Sequence, residues 1–521
     1  MSIDPIRMLR KSAELYGDRT AMVCVDQRQT YSQLWDRSVR LANALRTAGV
    51  EPGERVALLA DNSAESLEHV TGLAIGGYVR CALYTHDVVD RHLYLLGLTE
   101  ASALIVQAQH FDGLRARLSE VPHVRTVFVI GAQGDDSALE GAEYYEAALA
   151  AASTEPADVT VDQDEPHVIR FSAGTTGLPK GIMHTWRGWR DMGTEMALVM
   201  RGFDEDDCYL AAGPLAHAAG MITWPLLAAG AKTVVMPAFD PGEFLRLVEE
   251  HRATTTVVGP TVIQMVTEHP DAHTRDQSSM RVLGYGTAPA SEAVLTKAVE
   301  VWGNVLYQVY GQSEALPLTV LAPEHHRVDG TDEERAWLRS AGRPSPNADV
   351  RILDDDGREL PIGEVGEIVG YTPGRMSQLW NDPEGTTARV TADGGVRTRD
   401  LGWMSNDGFL YLADRKEDTI ISGGYNIWPN ELENALASHP AVAEVSVVGQ
   451  PHPKWGETPV AAVVLRDGAQ VTEEDLIDWT RERVGPVKKV TAVHFVDSLP
   501  RTPIGKVLRR VVREQLSDSS S

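Results

Sequence analysis

The chain has 521 residues, 43% hydrophobic and 23% charged, which is too long for one ordinary core and too apolar for wholesale disorder. Its 74 acidic residues outnumber 48 basic ones, and the net charge of -26 argues against non-specific binding to nucleic acid or to an anionic membrane. Any phosphate ligand must therefore be held by a local site.

In chain order, residues 1–18 carry Arg7, Arg10 and Lys11 but no apolar run long enough for a signal peptide. Residues 31–45 place Leu34, Leu41 and Leu45 at helical spacing, and a Gly49/Pro52-Gly53 turn separates them from a strand-like run at 55–60. Brief β-prone runs follow at 127–130, 233–236, 255–258 and 282–283. Helical patterns separate them, as in βα units around a largely parallel sheet. Residues 208–231 contain no Asp, Glu, Lys or Arg, but Gly213, Pro214, His217, Gly220, Pro225 and Gly230 break the run. It reads as a buried strand, turn and helix, with no membrane insertion. From about 343 the texture becomes that of a small antiparallel β region, at 350–357, 366–370 and 408–412. A final α+β segment from 414 holds a helix near Pro429, strands at 444–448 and 460–465, and a helix at 472–483. The expected division is an N-terminal domain over 1–413, with its β-rich part at 343–413, and a C-terminal domain over 414–521. Cys24, Cys81 and Cys208 form no C-x-x-C pair and read as buried thiols in a reducing, cytoplasmic setting.

Chemistry concentrates in residues 167–182. A β-prone run leads into Gly174, Gly177 and Gly181, interleaved with Ser172, Thr175 and Thr176 and followed by Lys180. Glycines let backbone N–H groups approach phosphate oxygens, hydroxyls add donors, and lysine neutralises charge, which suits a polyphosphate. The Walker pattern cannot be laid over this segment. As residues alone, a Gly/Thr-rich surface turn remains an equal alternative.

The string resembles the phosphate-binding signature of the adenylate-forming superfamily, which includes acyl- and aryl-CoA synthetases, peptide-synthetase adenylation domains and firefly luciferases. Ala173 stands where serine is usual, and Trp186 where many relatives have histidine. Further motifs of the family follow in order. Residues 309–314, with Tyr310, Gly311, Ser313 and Glu314, resemble Tyr-Gly-x-Thr-Glu. The segment 398–403 resembles Thr-Gly-Asp-x-Gly, with Arg399 in place of the glycine and Asp400 as its aspartate. The stretch 414–433 is close to the hinge segment, and 500–506 matches Pro-[KR]-Thr-x-x-Gly-Lys. The resemblance covers residues 16–510.

What this resemblance implies is a large α/β domain of parallel βα-type sheets with a small β region, followed by a small mobile α+β C-terminal domain. It implies a carboxylic acid that attacks Mg-ATP, releases pyrophosphate and becomes an acyl-adenylate, and then an acyl transfer to the thiol of coenzyme A. On the matching positions, Ser172, Gly174, Thr175, Thr176, Gly177 and Lys180 contact the phosphates and Glu314 holds Mg2+. Gly286, Thr287 and Ala288 flank the adenine, Gln308 reads its edge, and Tyr310, Gly311 and Ser313 complete the nucleotide site. Asp400 binds the ribose, Arg415 the ribose or phosphate, and Lys506 bridges carboxylate and α-phosphate. Glu417 is the hinge, and Gly423 and Gly424 border the thiol tunnel. His217 lies at the acyl carboxylate, with Met221, Thr223, Gly259, Tyr285, Gly286 and Leu316 as pocket walls.

These walls are small or apolar, which favours a neutral aromatic or medium aliphatic acid over an α-amino acid, because no Asp at 214–225 could pair with an ammonium. Two rival readings share the first half-reaction. One enzyme would load a carrier protein, and another would form an amide or nitrogen–nitrogen bond. The remaining rival is a non-catalytic nucleotide-binding protein. A monomer or homodimer acting on a small-molecule acid, without nucleic acid, is expected.

Overall fold

The computed structural model describes residues 2–3, 5–131, 141–173, 178–216, 218–288, 290–415, 418–422, 425–501 and 507–518. By its internal contacts the chain divides into two compact units, Met1–Val350 with Gly370–Val396, and Arg351–Val369 with Arg397–Ser521.

The first unit contains two large sheets. One has eight strands in the spatial order Gln378–Leu379, Pro179–Thr185, Pro166–Ala173, Val79–Ala82, Arg55–Leu59, Ala103–Gln107, Thr126–Ile130 and Glu143–Tyr144. The other has nine: Arg343–Pro344, Ala315–Leu321, Leu306–Gln312, Val282–Gly286, Thr255–Val258, Cys208–Ala211, Lys232–Val235, Thr20–Cys24 and Gln27–Thr30. Both are parallel through the middle, as the βα reading expects, but close on antiparallel hairpins. The central strands are apolar on both faces because helices cover them, as parallel sheets require.

Local signals account for the helices. The helix expected at 31–45 runs over Tyr31–Thr47. Thr30 and Gln33 form a reciprocal capping box at its start, and Leu34, Leu41 and Leu45 are buried. Burying each such leucine contributes about 1.5–3 kcal/mol. The charge-free stretch at 208–231 forms a buried strand at Cys208–Ala211, a 3-10 turn at Ala218–Gly220 and a short helix at Thr223–Ala229. No helix among the described residues is long and apolar enough to cross a membrane. All three cysteines are buried and unbridged, and burial pushes their thiols up, Cys81 to about 12.

The second unit holds most of a four-stranded sheet (Asp349–Leu353, Gly366–Tyr371, Val396–Met404, Leu410–Arg415) and a five-stranded one. The five-stranded sheet is built around the long hairpin Val442–His452 with Gly456–Leu465. The helices Pro429–Ala437 and Glu473–Lys488 belong to the same unit, and the latter contains a non-helical Gly485 at φ +83°. Both strands and both helices fall where the sequence expects them, although the hairpin strands extend further. Their apolar faces meet in one core, including Ile427, Leu432, Leu436, Val447, Val463 and Leu476.

Candidate active site

The hydroxyl-rich loop joins the two strands of a hairpin. Pro166–Ala173 and Pro179–Thr185 are antiparallel, with Ser172 opposite Lys180 and Ala173 opposite Pro179. Gly174, Thr175, Thr176 and Gly177 lie outside the described residues. Gly181 sits where a Cβ would come within 2.9 Å of the Trp380 Cβ, so a larger residue would push the hairpin off that neighbour. The Lys180 Nζ is 2.7 Å from Asp382 Oδ2. Asp382 also caps the helix Pro383–Arg389 by accepting from the Gly385 N–H at 2.8 Å. The Lys180 ammonium, helped by that N–H, holds the Asp382 carboxyl below its usual range.

The Tyr-Gly motif forms a second hairpin. Leu306–Gln312 pairs with Ala315–Leu321 so that Gln312 faces Ala315, which leaves Ser313 and Glu314 as a two-residue turn. A Cβ at Gly311 would meet the Ala315 carbonyl oxygen at 2.6 Å, so the close approach needs glycine. The two hairpins touch, because the Ser313 carbonyl accepts from His184 Nε2 at 2.8 Å. Burial, then the nearby Arg170, pushes His184 down to about 3, so it is a neutral donor in the tautomer protonated at Nε2. Glu314 is buried, its Oε1 lies 3.1 Å from Arg389 Nη2, and its carbonyl accepts from the Met376 N–H at 2.7 Å. Residues from 170–184, 313–314 and 376–389, far apart in sequence, thus meet in one place.

The adenine-side candidates follow the neighbouring strand. Tyr285 and Gln308 are register partners, and Gln308 Oε1 accepts from the Tyr285 hydroxyl at 2.9 Å. The amide of Gln308 donates to the Ser340 carbonyl at 3.3 Å, and Tyr285 also meets His326 Nε2 at 2.9 Å. A Cβ at Gly286 would sit 2.5 Å from the Val309 carbonyl oxygen. Thr287 adopts φ +69°, a left-handed conformation uncommon for a non-glycine residue, and it is exposed with Ala288. Tyr310 is half-buried on the same strand as Gln308.

On the acyl side, His217 lies outside the described residues. Met221 and Leu316 share an apolar cluster with Val168, Trp189 and Met192. Thr223 starts the helix Thr223–Ala229, and its buried Oγ1 has no partner among the described residues. Gly259 precedes the helix Pro260–Thr267. Tyr285 belongs to a different apolar cluster from Met221 and Leu316. Asn62 was not anticipated. Its side chain donates to the carbonyls of Gly213 (2.9 Å) and Met236 (3.1 Å) and accepts from the Leu215 N–H (2.9 Å), fixing the chain just ahead of position 217. Its place just after the strand Arg55–Leu59 was the available signal, since ligands of α/β sheets gather at the carboxyl ends of strands. Arg80, His69 and Arg170 were also missed. The last stands inside the quoted phosphate-loop string, where attention fell on the glycines.

In the second unit, Asp400 is the register partner of Arg415, and its N–H donates to Thr398 Oγ1 at 3.1 Å. Arg399, in place of the family's glycine, adopts φ +62°, the conformation glycine takes without strain. The side chain of Arg415 lies outside the described residues, as do Glu417, Gly423, Gly424 and Lys506. Ser422 faces Tyr425 across the pair Ile420–Ser422 and Tyr425–Ile427, and Arg501 bridges to Val507.

The sequence matches the family model described as AMP-binding enzyme over residues 9–380, and that of the AMP-binding enzyme C-terminal domain over 431–506. It is 36% identical over 505 residues to a medium/long-chain-fatty-acid–CoA ligase of Mycobacterium tuberculosis, covering 94% of this chain and 86% of that one. It is 35% identical over 517 residues to a feruloyl-CoA synthase of an Amycolatopsis species, covering 98% of each. The amide bond synthetase McbA of Marinactinospora thermotolerans superposes with a TM-score of 0.86 at 30% identity, over 98% of this chain and 99% of that one. With both halves matched and the whole chain aligned, the protein belongs to the AMP-binding enzymes, in the acyl- and aryl-CoA synthetase branch of the adenylate-forming superfamily, and is a ligase.

Proposed function

We propose that the protein is an AMP-forming acid–CoA ligase of the cytoplasm that activates an aromatic or medium aliphatic carboxylic acid with ATP and passes the acyl group to coenzyme A. The observation that carries this reading is the meeting of the Ser172–Lys180 hairpin with the Ser313-Glu314 turn through His184. Joining a carboxylate to a thiol in water is uphill, so one carboxylate oxygen must first attack the α-phosphate and expel pyrophosphate. That step needs little proton transfer and much charge neutralisation. Ser172, Thr175, Thr176 and Lys180, with backbone N–H groups at Gly174 and Gly177, would hold the phosphates.

Glu314 would hold the magnesium that accompanies ATP. Among the described residues no three His, Cys, Asp or Glu side chains gather as metal ligands. A single buried carboxylate suits an ion whose other positions are filled by phosphate oxygens and water. Gly286, Thr287, Ala288, Gln308, Tyr310, Gly311 and Ser313 would frame the adenine side, and Asp400 and Arg415 the ribose. His217 would orient the acid's carboxylate, and Lys506 would neutralise the charge that builds between carboxylate and α-phosphate. The segment 414–521 would then turn about Glu417, withdrawing Lys506 and bringing Gly423 and Gly424 beside the arriving thiol.

Likeness to an amide bond synthetase favours one alternative, in which the same adenylate serves another acceptor, an amine or a carrier-protein thiol. The test is ATP–pyrophosphate exchange over a panel of aryl and alkyl acids, with mass spectrometry after coenzyme A is added. Exchange together with an acyl-CoA product is expected. AMP formation without thioester would refute the CoA ligase and favour the other acceptors, and no exchange with any acid would refute adenylation.

A further inference from the structure

The nucleotide chemistry leaves two guanidinium groups unused. Arg80, in the strand Val79–Ala82, is the register partner of Val168 in a parallel pair. Side chains alternate between faces along a strand, so Arg80, Val168, Arg170 and Ser172 share one face of the eight-stranded sheet. That face meets Trp189, Met192, Met221 and Leu316. The Arg80 guanidinium carbon lies 5.5 Å from the centroid of the Trp189 ring, and Arg170 Nη1 is 3.9 Å from Met221 Sδ. Arg80 is 3% exposed.

Among the described residues, neither arginine pairs with a carboxylate. The acid whose charge Arg170 feels is Glu314, and that carboxylate is engaged by Arg389. Burial, then the like charge of Arg170, pushes the Arg80 guanidinium down to about 10. Beside Arg80, a small cavity is also lined by Asp61, Asn62, His69, Leu215 and Ala216, and the Asp61 carboxylate is engaged by Thr85 and His110. His69 is 1% exposed, and among the described residues neither of its ring nitrogens has a partner. Burial, then the Arg80 charge, pushes it down to about 3, so it is neutral and able to donate one hydrogen bond.

Arg80 is held out of water and Arg170 is half-buried, and two like charges beside an imidazole with no partner among the described residues are costly unless an anion joins them. The phosphates of ATP belong at the Ser172 end of the strand, and the backbone positions of the two arginines step away from it at roughly 3.3 Å per residue. Arg170 therefore lies about 7 Å, and Val168 with Arg80 beside it about 13 Å, from Ser172 at the loop end. An anion shared by the two would lie away from the loop end, beside Trp189 and Met221.

We propose that the acid carries a second carboxylate, held by Arg170 and Arg80 at the inner end of the pocket while its first carboxylate is adenylated. This rests on the ligase reading and narrows its substrate class to dicarboxylic acids with an apolar or aromatic spacer lying along Met221, Trp189 and Leu316. Guanidinium groups bind carboxylates through paired, charge-assisted hydrogen bonds, and a methyl group in that place would leave both cations unmatched.

The test is ATP–pyrophosphate exchange with acids matched in skeleton, such as suberic against octanoic acid and 3-(4-carboxyphenyl)propionic against 3-phenylpropionic acid. The wild-type enzyme is expected to favour a dicarboxylate over its partner by at least about 10-fold in kcat/KM. Arg170→Gln and Arg80→Gln should each lower that preference by about 10- to 100-fold, chiefly through KM for the dicarboxylate. Equal use of both classes by the wild type, or a preference for monocarboxylates, overturns the proposal while leaving the ligase reading intact, and neither result depends on a variant folding. An unchanged preference in both folded variants also overturns it. Exchange with no acid of either class overturns the ligase reading, and this inference with it.

Discussion

Asp382 performs two tasks that substitution can separate. It accepts from Lys180 at 2.7 Å, and it caps the helix Pro383–Arg389, which carries the Arg389 that engages Glu314. Asp382→Ala removes both the cap and the ion pair. Losing the cap costs about 1 kcal/mol. The pair is 39% and 32% exposed on its two side chains, so solvent screening limits its loss to about 0.2–1 kcal/mol. The sum is about 1–2 kcal/mol. Asp382→Asn keeps a good capping side chain and loses only the ion pair, so its cost stays below about 1 kcal/mol. For a unit of roughly 380 residues, about 2.1 cal/mol/K per residue makes 2 kcal/mol a fall in Tm of about 2–3 °C.

The same substitutions bear on nucleotide binding. Asparagine frees the Lys180 ammonium from competition, so KM for ATP should fall by roughly 1.4- to 5-fold, the equivalent of the ion pair. Alanine frees it too, but loosens the helix behind Glu314. The pH dependence has a definite sign. The folded carboxyl titrates below the ordinary 3.8, so its stabilisation is complete above that value and is lost as pH falls through the lowered one. The gap between wild type and Asp382→Asn should therefore be full at pH 7 and narrow below about pH 4. Thermal melts across that range, with ATP titrations at pH 7, measure all of this. If asparagine destabilises as much as alanine, or raises KM for ATP, the division between cap and ion pair is wrong.

Lys506→Ala should abolish pyrophosphate exchange while sparing thioester formation from supplied acyl-adenylate, and equal loss of both half-reactions in stopped assays would refute its role. Glu314→Gln should cost about 1–3 kcal/mol, because Arg389 loses its carboxylate, and should raise the magnesium concentration needed for half-maximal exchange. An unaltered magnesium titration would remove Glu314 from the metal. At position 399, with φ +62°, Arg399→Gly should be more stable than Arg399→Ala by about 1 kcal/mol. Both variants lack the arginine side chain, so their difference in thermal melts reads the backbone alone, and equal melts would mean that no strain is held there.

The alternation of short apolar runs with amphipathic stretches was enough to expect βα units around a largely parallel sheet, since side-chain period and strand length are local properties, but not that the strands divide between two sheets. The glycines, hydroxyls and lysine of residues 172–181 suit a phosphate but left a surface turn equally open, and it was the ordered resemblance of further motifs up to residue 506 that placed the family and implied its ATP chemistry. Arg399 was legible as a departure, and its left-handed backbone shows what the turn demands. Pairing could not be read the same way. That Lys180 meets Asp382, Glu314 meets Arg389 and His184 meets Ser313 depends on which strands lie side by side, and residues 75 to 202 positions apart carry no mutual signal in one sequence. The hydrophobic stretches around Arg80 and Arg170 also gave no warning. A charged residue within an apolar strand becomes informative only when the register puts it beside another, with no acid among the described residues to meet it.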